Sequence, residues 1–126
     1  MAGLSDGLVY SGVLEGDKAL KMIPLVIRYA AGTPSIIFNP LNESITLTDT
    51  GTGNVLLTLA SASLAPLCVQ ATVRPTDPTA LGNVVNINGA PTTTTVSLVN
   101  NLASDGVTEA DPVDLNVLIF KLVSVS

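Results

Sequence analysis

The sequence lacks the residues on which most enzyme chemistry depends. Its 126 residues contain no His, no Trp and a single Cys. Because His is the usual general base near neutral pH and the commonest metal ligand, its absence argues against acid–base catalysis and against a metalloenzyme. One cysteine cannot form an internal disulfide, and the apolar neighbours of Cys68 predict a small buried side chain and not a reactive thiolate. We therefore expect no enzymatic activity and no cofactor.

Charge and aromatic side chains are also scarce. Charged residues make up 12% of the chain and aromatic residues 3%, and the net charge is −5. Soluble domains usually carry about 25% charged residues, so this chain has about half the usual supply. The five scattered basic residues and few aromatic rings do not fit a nucleic-acid binder, which needs cations for phosphates and rings for bases. With 47% hydrophobic residues, the chain either enters a membrane or covers much of its surface with partners.

The longest stretch without a charge, residues 50–73, does not look like a membrane span. It is long enough to cross a bilayer, but Gly51, Gly53 and Pro66 interrupt it and turn residues follow one another at short intervals. The first residues contain Asp6 and no basic segment, so they do not predict a signal peptide. We expect that the chain does not associate with a membrane. We also expect that it is synthesised and used in a cytoplasm-like compartment.

Short apolar runs separated by Gly, Pro, Asn and Asp predict an all-β fold. Residues 44–48 and 94–98 alternate strictly, which predicts Ile45, Leu47, Val96 and Leu98 on inner faces. About eight or nine short strands favour an antiparallel β-sandwich or a jelly-roll-like barrel over residues 23–126, as a single domain. Strands are predicted at residues 8–14, 23–29, 35–38, 44–49, 54–59, 67–74, 84–88, 93–99 and 115–123.

Residues 1–22 predict an extended N-terminal arm. A helical turn at 15–22 is an alternative, although four glycines in the segment disfavour helix. A frayed terminus would be more polar than this segment, so we expect the arm to order on a neighbouring subunit or lattice. Its predicted contact residues are Leu4, Leu8, Val9, Tyr10, Val13 and Leu14. Arg28 is a further interface candidate, because it interrupts an apolar run and could pair with an acid of another subunit; a weak surface salt bridge is the alternative.

The densest polar cluster contains Asp105, Glu109, Asp111 and Asp114. These residues are weak candidates for a divalent-ion site, because the spacing of an EF-hand loop is absent. A solvated turn explains the same residues, since Asp105-Gly106 and Asp111-Pro112 both favour turns. We expect no metal site.

From residue 54 onward the order of features resembles a known class of virion proteins. A strand VLLTLA leads to LAPLCVQATV, a Pro/Asp turn, a hairpin and TTTTVSLV, and the chain closes with SDGVTEADPVDLNVLIF. This order resembles the capsid decoration (cement) proteins of tailed bacteriophages. The resemblance implies a homo-oligomer, commonly a trimer, that binds the major capsid protein on the outer surface of the virion. No residue-level motif transfers a site from that family.

A second resemblance, to the β-sandwich heads of phage tail fibres, implies a ligand- or receptor-binding module of lectin-like type. Sugar sites usually stack a ring on an exposed Trp or Tyr. This chain has no Trp and two Tyr, which counts against that alternative.

Overall fold

Two antiparallel β-sheets pack face to face over the part of the chain that can be described. A computed structural model describes residues 18–74, 84–101 and 114–124. Within these ranges lie eight strands and no helix, so the predicted all-β sandwich is confirmed. The strands are β1 (Lys18–Ala30), β2 (Thr33–Phe38), β3 (Ile45–Gly51), β4 (Asn54–Leu59), β5 (Cys68–Arg74), β6 (Val84–Ile87), β7 (Thr95–Asn101) and β8 (Asp114–Ser124).

Each sheet contains four strands in a non-sequential order. Sheet A has the order β2-β1-β8-β5, and sheet B has the order β3-β4-β7-β6. The longest ladder joins β1 to β8, from the Lys18–Ser124 pair to the Arg28–Asp114 pair. The first and last described strands therefore form the centre of sheet A.

Eight of the nine predicted strands correspond to observed strands, and the ninth, at residues 8–14, lies outside the described residues. β1 begins at Lys18, so the last five residues of the predicted arm belong to sheet A. The helical alternative for residues 15–22 is wrong over 18–22. These residues pair in register with β8, and that tertiary pairing sets their conformation.

The core lies between the sheets and follows the alternation of the strands. Val96 and Leu98 are buried, and Ile45 and Leu47 pack against the core from the edge strand β3, as predicted. Fully buried side chains from the two central strands of sheet A, such as Ile23 and Ile119, meet them from the other side. This burial of branched apolar side chains is the main source of stability for the sandwich.

Turn chemistry explains two of the connections. Ala31 and Gly32 join β1 to β2 with positive φ angles of 51° and 81°, the conformation of a two-residue hairpin turn. Asn88-Gly89 is a sequence typical of such a turn, and Gly89 does have a φ of 83°. The connection between β6 and β7 is longer than two residues, however, because Ile87 already pairs with Leu98.

Candidate interaction surface

The central part of the outer face of sheet A, on β1 and β8, is apolar, which is unusual for the solvent side of a sandwich. Even-numbered residues of β1 and β8 point away from the core, since the odd-numbered Ile23, Leu25, Val117 and Ile119 point into it. Across the β1–β8 ladder, the outward residues pair apolar with apolar at three successive positions. We call the following set the apolar face: Leu20, Met22, Pro24, Val26, Phe38, Leu118, Phe120 and Leu122.

Much of this face remains open to solvent. Phe38 is 50% exposed and Leu20 is 39% exposed, while Leu118, Phe120 and Leu122 are half-buried. The face also contains an open cleft of about 350 Å³. Pro24, Val26, Phe38 and Leu118 line its apolar side, and Gln70, Thr72 and Asn116 add amide and hydroxyl groups. A large uncharged surface of this kind is typical of an interaction site.

The outer face of sheet B provides the contrast. Its central position, Leu56 on β4, lies between Thr48 and Ser97 of the neighbouring strands. One step along the ladder, Thr58 lies between Thr46 and Thr95. Hydroxyl groups therefore dominate this face, as expected for a sheet that is solvated on one side. The two sheets bury similar inner faces but present different outer faces.

The position of Pro24 in β1 is consistent with the way the strands of sheet A pair. Pro24 has no N–H to donate to a ladder, so a proline is tolerated in a sheet mainly where one side of its strand is unpaired. β2 pairs with β1 only from Val26 to Ala30. Pro24 thus lies in the half of β1 whose described ladder partner is β8 alone.

One charged pair marks the end of this face. Arg28 donates from Nε to Oδ1 of Asp114 at 2.9 Å and from Nη2 to Oδ2 at 3.0 Å. Asp114 is fully buried, whereas the Arg28 side chain is 49% exposed. The hydrogen bond to Asp114 raises the pKa of Arg28 above its ordinary value. Arg28 therefore has its acidic partner within the chain, on the adjacent strand.

The pair also accounts for one residue of the acidic cluster. Both carboxylate oxygens of Asp114 accept hydrogen bonds from Arg28, so the structure gives this residue a role in an ion pair. Asp105, Glu109 and Asp111 lie outside the described residues. In the described ranges, no group of three acidic, His or Cys side chains is arranged to hold a metal ion. The predicted arm contacts also lie outside the described residues: Leu4, Leu8, Val9, Tyr10, Val13 and Leu14.

Cys68 is exposed, so the prediction that it is buried is wrong. The apolar residues around it suggested burial, but alternation along β5 decides the outcome. Leu67 and Val69 point into the core, and Cys68 between them points outward. Its cross-strand neighbour is Phe120, so the thiol lies at the β5 border of the apolar face.

A second cluster of charged side chains lies between the sheets at one end of the core. Lys21 and Lys121 are direct cross-strand neighbours with their side chains largely buried, and Lys21 forms an ion pair with Glu43. Lys121 donates a hydrogen bond to Ser61 Oγ at 2.6 Å. Burial lowers the pKa of Lys121, with Glu43 opposing and Lys21 adding to that effect.

Asn39 fixes the loop that supplies the acid of this cluster. Its Nδ2 donates to the Glu43 carbonyl at 2.8 Å, and its Oδ1 accepts from the Glu43 N–H at 3.0 Å. The cluster thus ties the β2–β3 loop to the centre of sheet A. Since Lys121 is only 4% exposed, the arrangement serves packing at the end of the core and offers little access to a substrate.

The sequence contained a signal for the apolar face. Residues 20–27 and 115–123 are nearly continuous apolar runs and do not alternate like residues 44–48. Continuous runs are typical of strands covered on both faces. The interface residues named from the sequence, however, were placed in the N-terminal segment and at Arg28.

Comparison with known proteins gives no match to a protein-family model, to a curated protein or to a solved structure. None of the described residues forms a helix long and apolar enough to cross a membrane. The chemistry of the two outer faces is therefore the basis for assigning a function.

Proposed function

We propose that this chain is a non-catalytic structural protein that decorates and stabilises the outer surface of a tailed-phage capsid. Copies of the chain associate with each other, as a trimer if they follow the decoration proteins that the sequence resembles, and bind the major capsid protein. Synthesis takes place in the host cytoplasm. The observation that carries the proposal is the apolar face of sheet A.

The contrast between the two outer faces supports a role in assembly. A sandwich that worked alone in water would be expected to present polar residues on both outer faces, as sheet B does with Thr48, Thr58 and Ser97. Leu20 and Phe38 instead leave large apolar side chains in solvent on sheet A. Covering them removes apolar area from water and stabilises the covered state by roughly 25 cal/mol per Å² before the cost of association.

The chemistry of the face supports binding and not catalysis. The eight side chains of the apolar face include no acid, base or nucleophile. In the nearest described ion pair, Arg28 donates two hydrogen bonds to the Asp114 carboxylate. A surface of this composition can exclude water and pack, which is what a capsid clamp requires.

A repeated lattice would increase the strength of such contacts. An oligomer that engages several capsid subunits at once converts each later contact into an intramolecular event. Modest contacts per copy are then enough for stable attachment. Net acidity also suits the exterior of the shell better than a surface facing packaged DNA.

The test is addition of the purified full chain to phage capsids that lack their decoration protein. We expect binding that saturates at a fixed number of copies per capsid and a higher temperature of capsid rupture. Bovine serum albumin at equal mass is the control for non-specific coating. Absence of saturable binding to such capsids would contradict the proposed role.

A ligand-binding head is the second candidate, and the cleft on the apolar face favours it. Gln70, Thr72 and Asn116 offer hydrogen-bonding groups beside the exposed ring of Phe38. Tyr29, one of the two tyrosines, is buried and not available for stacking on a sugar. Specific binding on a glycan array, combined with no capsid binding, would support this function in place of decoration.

A further inference from the structure

We infer that the apolar face is the surface through which copies of this chain meet, so that it lines the axis of the homo-oligomer. The inference rests on the self-association included in the proposed function and adds the surface and its occupant. Charge, area and the position of the exposed side chains each favour a second copy of the chain as that occupant.

Charge limits where identical copies can approach one another. Each copy carries a net charge of −5, so copies approach most easily through a surface that carries none of the excess acids. The apolar face meets this condition: its eight side chains are uncharged, the Asp114 carboxylate at one end is paired with Arg28, and the exposed Lys18 at the other end is basic. A strongly charged partner would find no complementary group among these side chains.

The size of the outer face of sheet A approaches that of a stable contact. Its strands β2, β1, β8 and β5 have 6, 13, 11 and 7 residues. At about 3.3 Å per residue and about 4.8 Å between strands, they cover roughly 590 Å². This area is about three quarters of the roughly 800 Å² per partner of a standard stable interface.

The exposed residues lie where a neighbouring copy would reach them. Phe38 ends β2 at one edge of sheet A, and Cys68 begins β5 at the other edge. Between them, Met22 and Phe120 form the middle of the face as direct cross-strand neighbours. Equivalent faces placed around a shared axis would bury the middle of the face and partly cover both edges.

The test is the mass of two matched variants of the full chain, measured by light scattering across a range of concentrations. Leu118→Asp places a carboxylate in the apolar face, and Leu56→Asp makes the same change at a half-buried outward position of a central strand of sheet B. Desolvating an unpaired carboxylate is costly. We expect Leu118→Asp to weaken self-association at least about 100-fold, while Leu56→Asp leaves the wild-type mass unchanged.

A further variant separates loss of association from loss of folding. Leu20→Glu changes a side chain that is already 39% exposed, so the fold should tolerate it, and circular dichroism verifies that the variant keeps its β-sheet spectrum. A folded Leu20→Glu protein of lower mass than wild type would support the inference. A monomeric wild type, or equal masses for wild type, Leu118→Asp and Leu20→Glu, would overturn it. Capsid binding is measured in a separate experiment. An oligomer that does not bind capsids would contradict the decoration role and leave the inferred contact between copies intact.

Discussion

Two neighbouring residues of β8 allow the core and the interaction surface to be separated experimentally. Ile119 is fully buried between the sheets, whereas Leu118, one position earlier, lies on the apolar face. Ile119→Ala and Leu118→Ala each remove three carbons from the same strand. We expect Ile119→Ala to shift the folding equilibrium and Leu118→Ala to shift the association equilibrium.

The expected size of the core effect follows from burial. Removing three buried carbons at Ile119 costs about 2.4 kcal/mol in transfer free energy at roughly 0.8 kcal/mol per methylene, and the cavity raises this to about 3–4 kcal/mol. Leu118→Ala removes contacts from a half-buried position and should lower the unfolding free energy of the chain itself by about 1 kcal/mol or less. Its main effect should be on association.

The assay is urea unfolding at two protein concentrations tenfold apart, together with the mass of the folded state. Ile119→Ala should lower the unfolding free energy by about the same amount at both concentrations and keep the wild-type mass while folded. Leu118→Ala should fail to assemble at concentrations where Ile119→Ala assembles. If Leu118→Ala destabilised the chain as strongly as Ile119→Ala at every concentration, with no change in mass, Leu118 would belong to the chain's own core and the reasoning would be refuted.

Four further predictions concern the two charged clusters and the Asn39 loop. Lys121→Met should raise the free energy of unfolding by about 1 kcal/mol, because the desolvation cost of a buried ammonium beside Lys21 exceeds the loss of its hydrogen bond to Ser61. The lowered pKa of Lys121 means that the unfolded chain binds more protons, so wild-type stability should rise as pH approaches 10.5, relative to Lys121→Met in urea titrations. Arg28→Met should lower the melting temperature by removing two charge-assisted hydrogen bonds from the buried Asp114 carboxylate, and adding Asp114→Leu should restore part of the loss. Asn39→Ala should cost about 2 kcal/mol, since it removes two hydrogen bonds to Glu43; an unchanged unfolding midpoint would contradict the role given to that residue.

Much of the fold could be predicted from the sequence because alternation and turn residues are local signals. Strict alternation at Ile45, Leu47, Val96 and Leu98 gave the inner faces correctly. The same rule, applied to β5, would have placed Cys68 outside. Apolar neighbours favour burial of Cys68, but the period of the strand determines that its side chain is exposed.

The interaction surface was harder to predict because it depends on which strands lie side by side. The apolar face exists because β1 and β8 pair although about 90 residues separate them in the chain. Neither the apolar run of β1 nor that of β8 contains a sequence signal that identifies the other as its partner strand. The same long-range pairing brings Arg28 to Asp114 and Lys21 to Lys121, contacts that no spacing in the sequence reveals.

A distance between copies tests the central claim most directly, and the native Cys68 provides the labelling site. It is the single cysteine of the chain and is exposed at the border of the apolar face. Packed sheets lie about 10 Å apart, so two copies that meet through their apolar faces should bring nitroxide labels on Cys68 within about 30 Å of each other. Contact through the outer faces of sheet B would separate the labels by two sandwich thicknesses, more than about 40 Å. Dipolar coupling at the shorter distance is the predicted result, and its absence in concentrated wild-type protein would contradict assembly through this face.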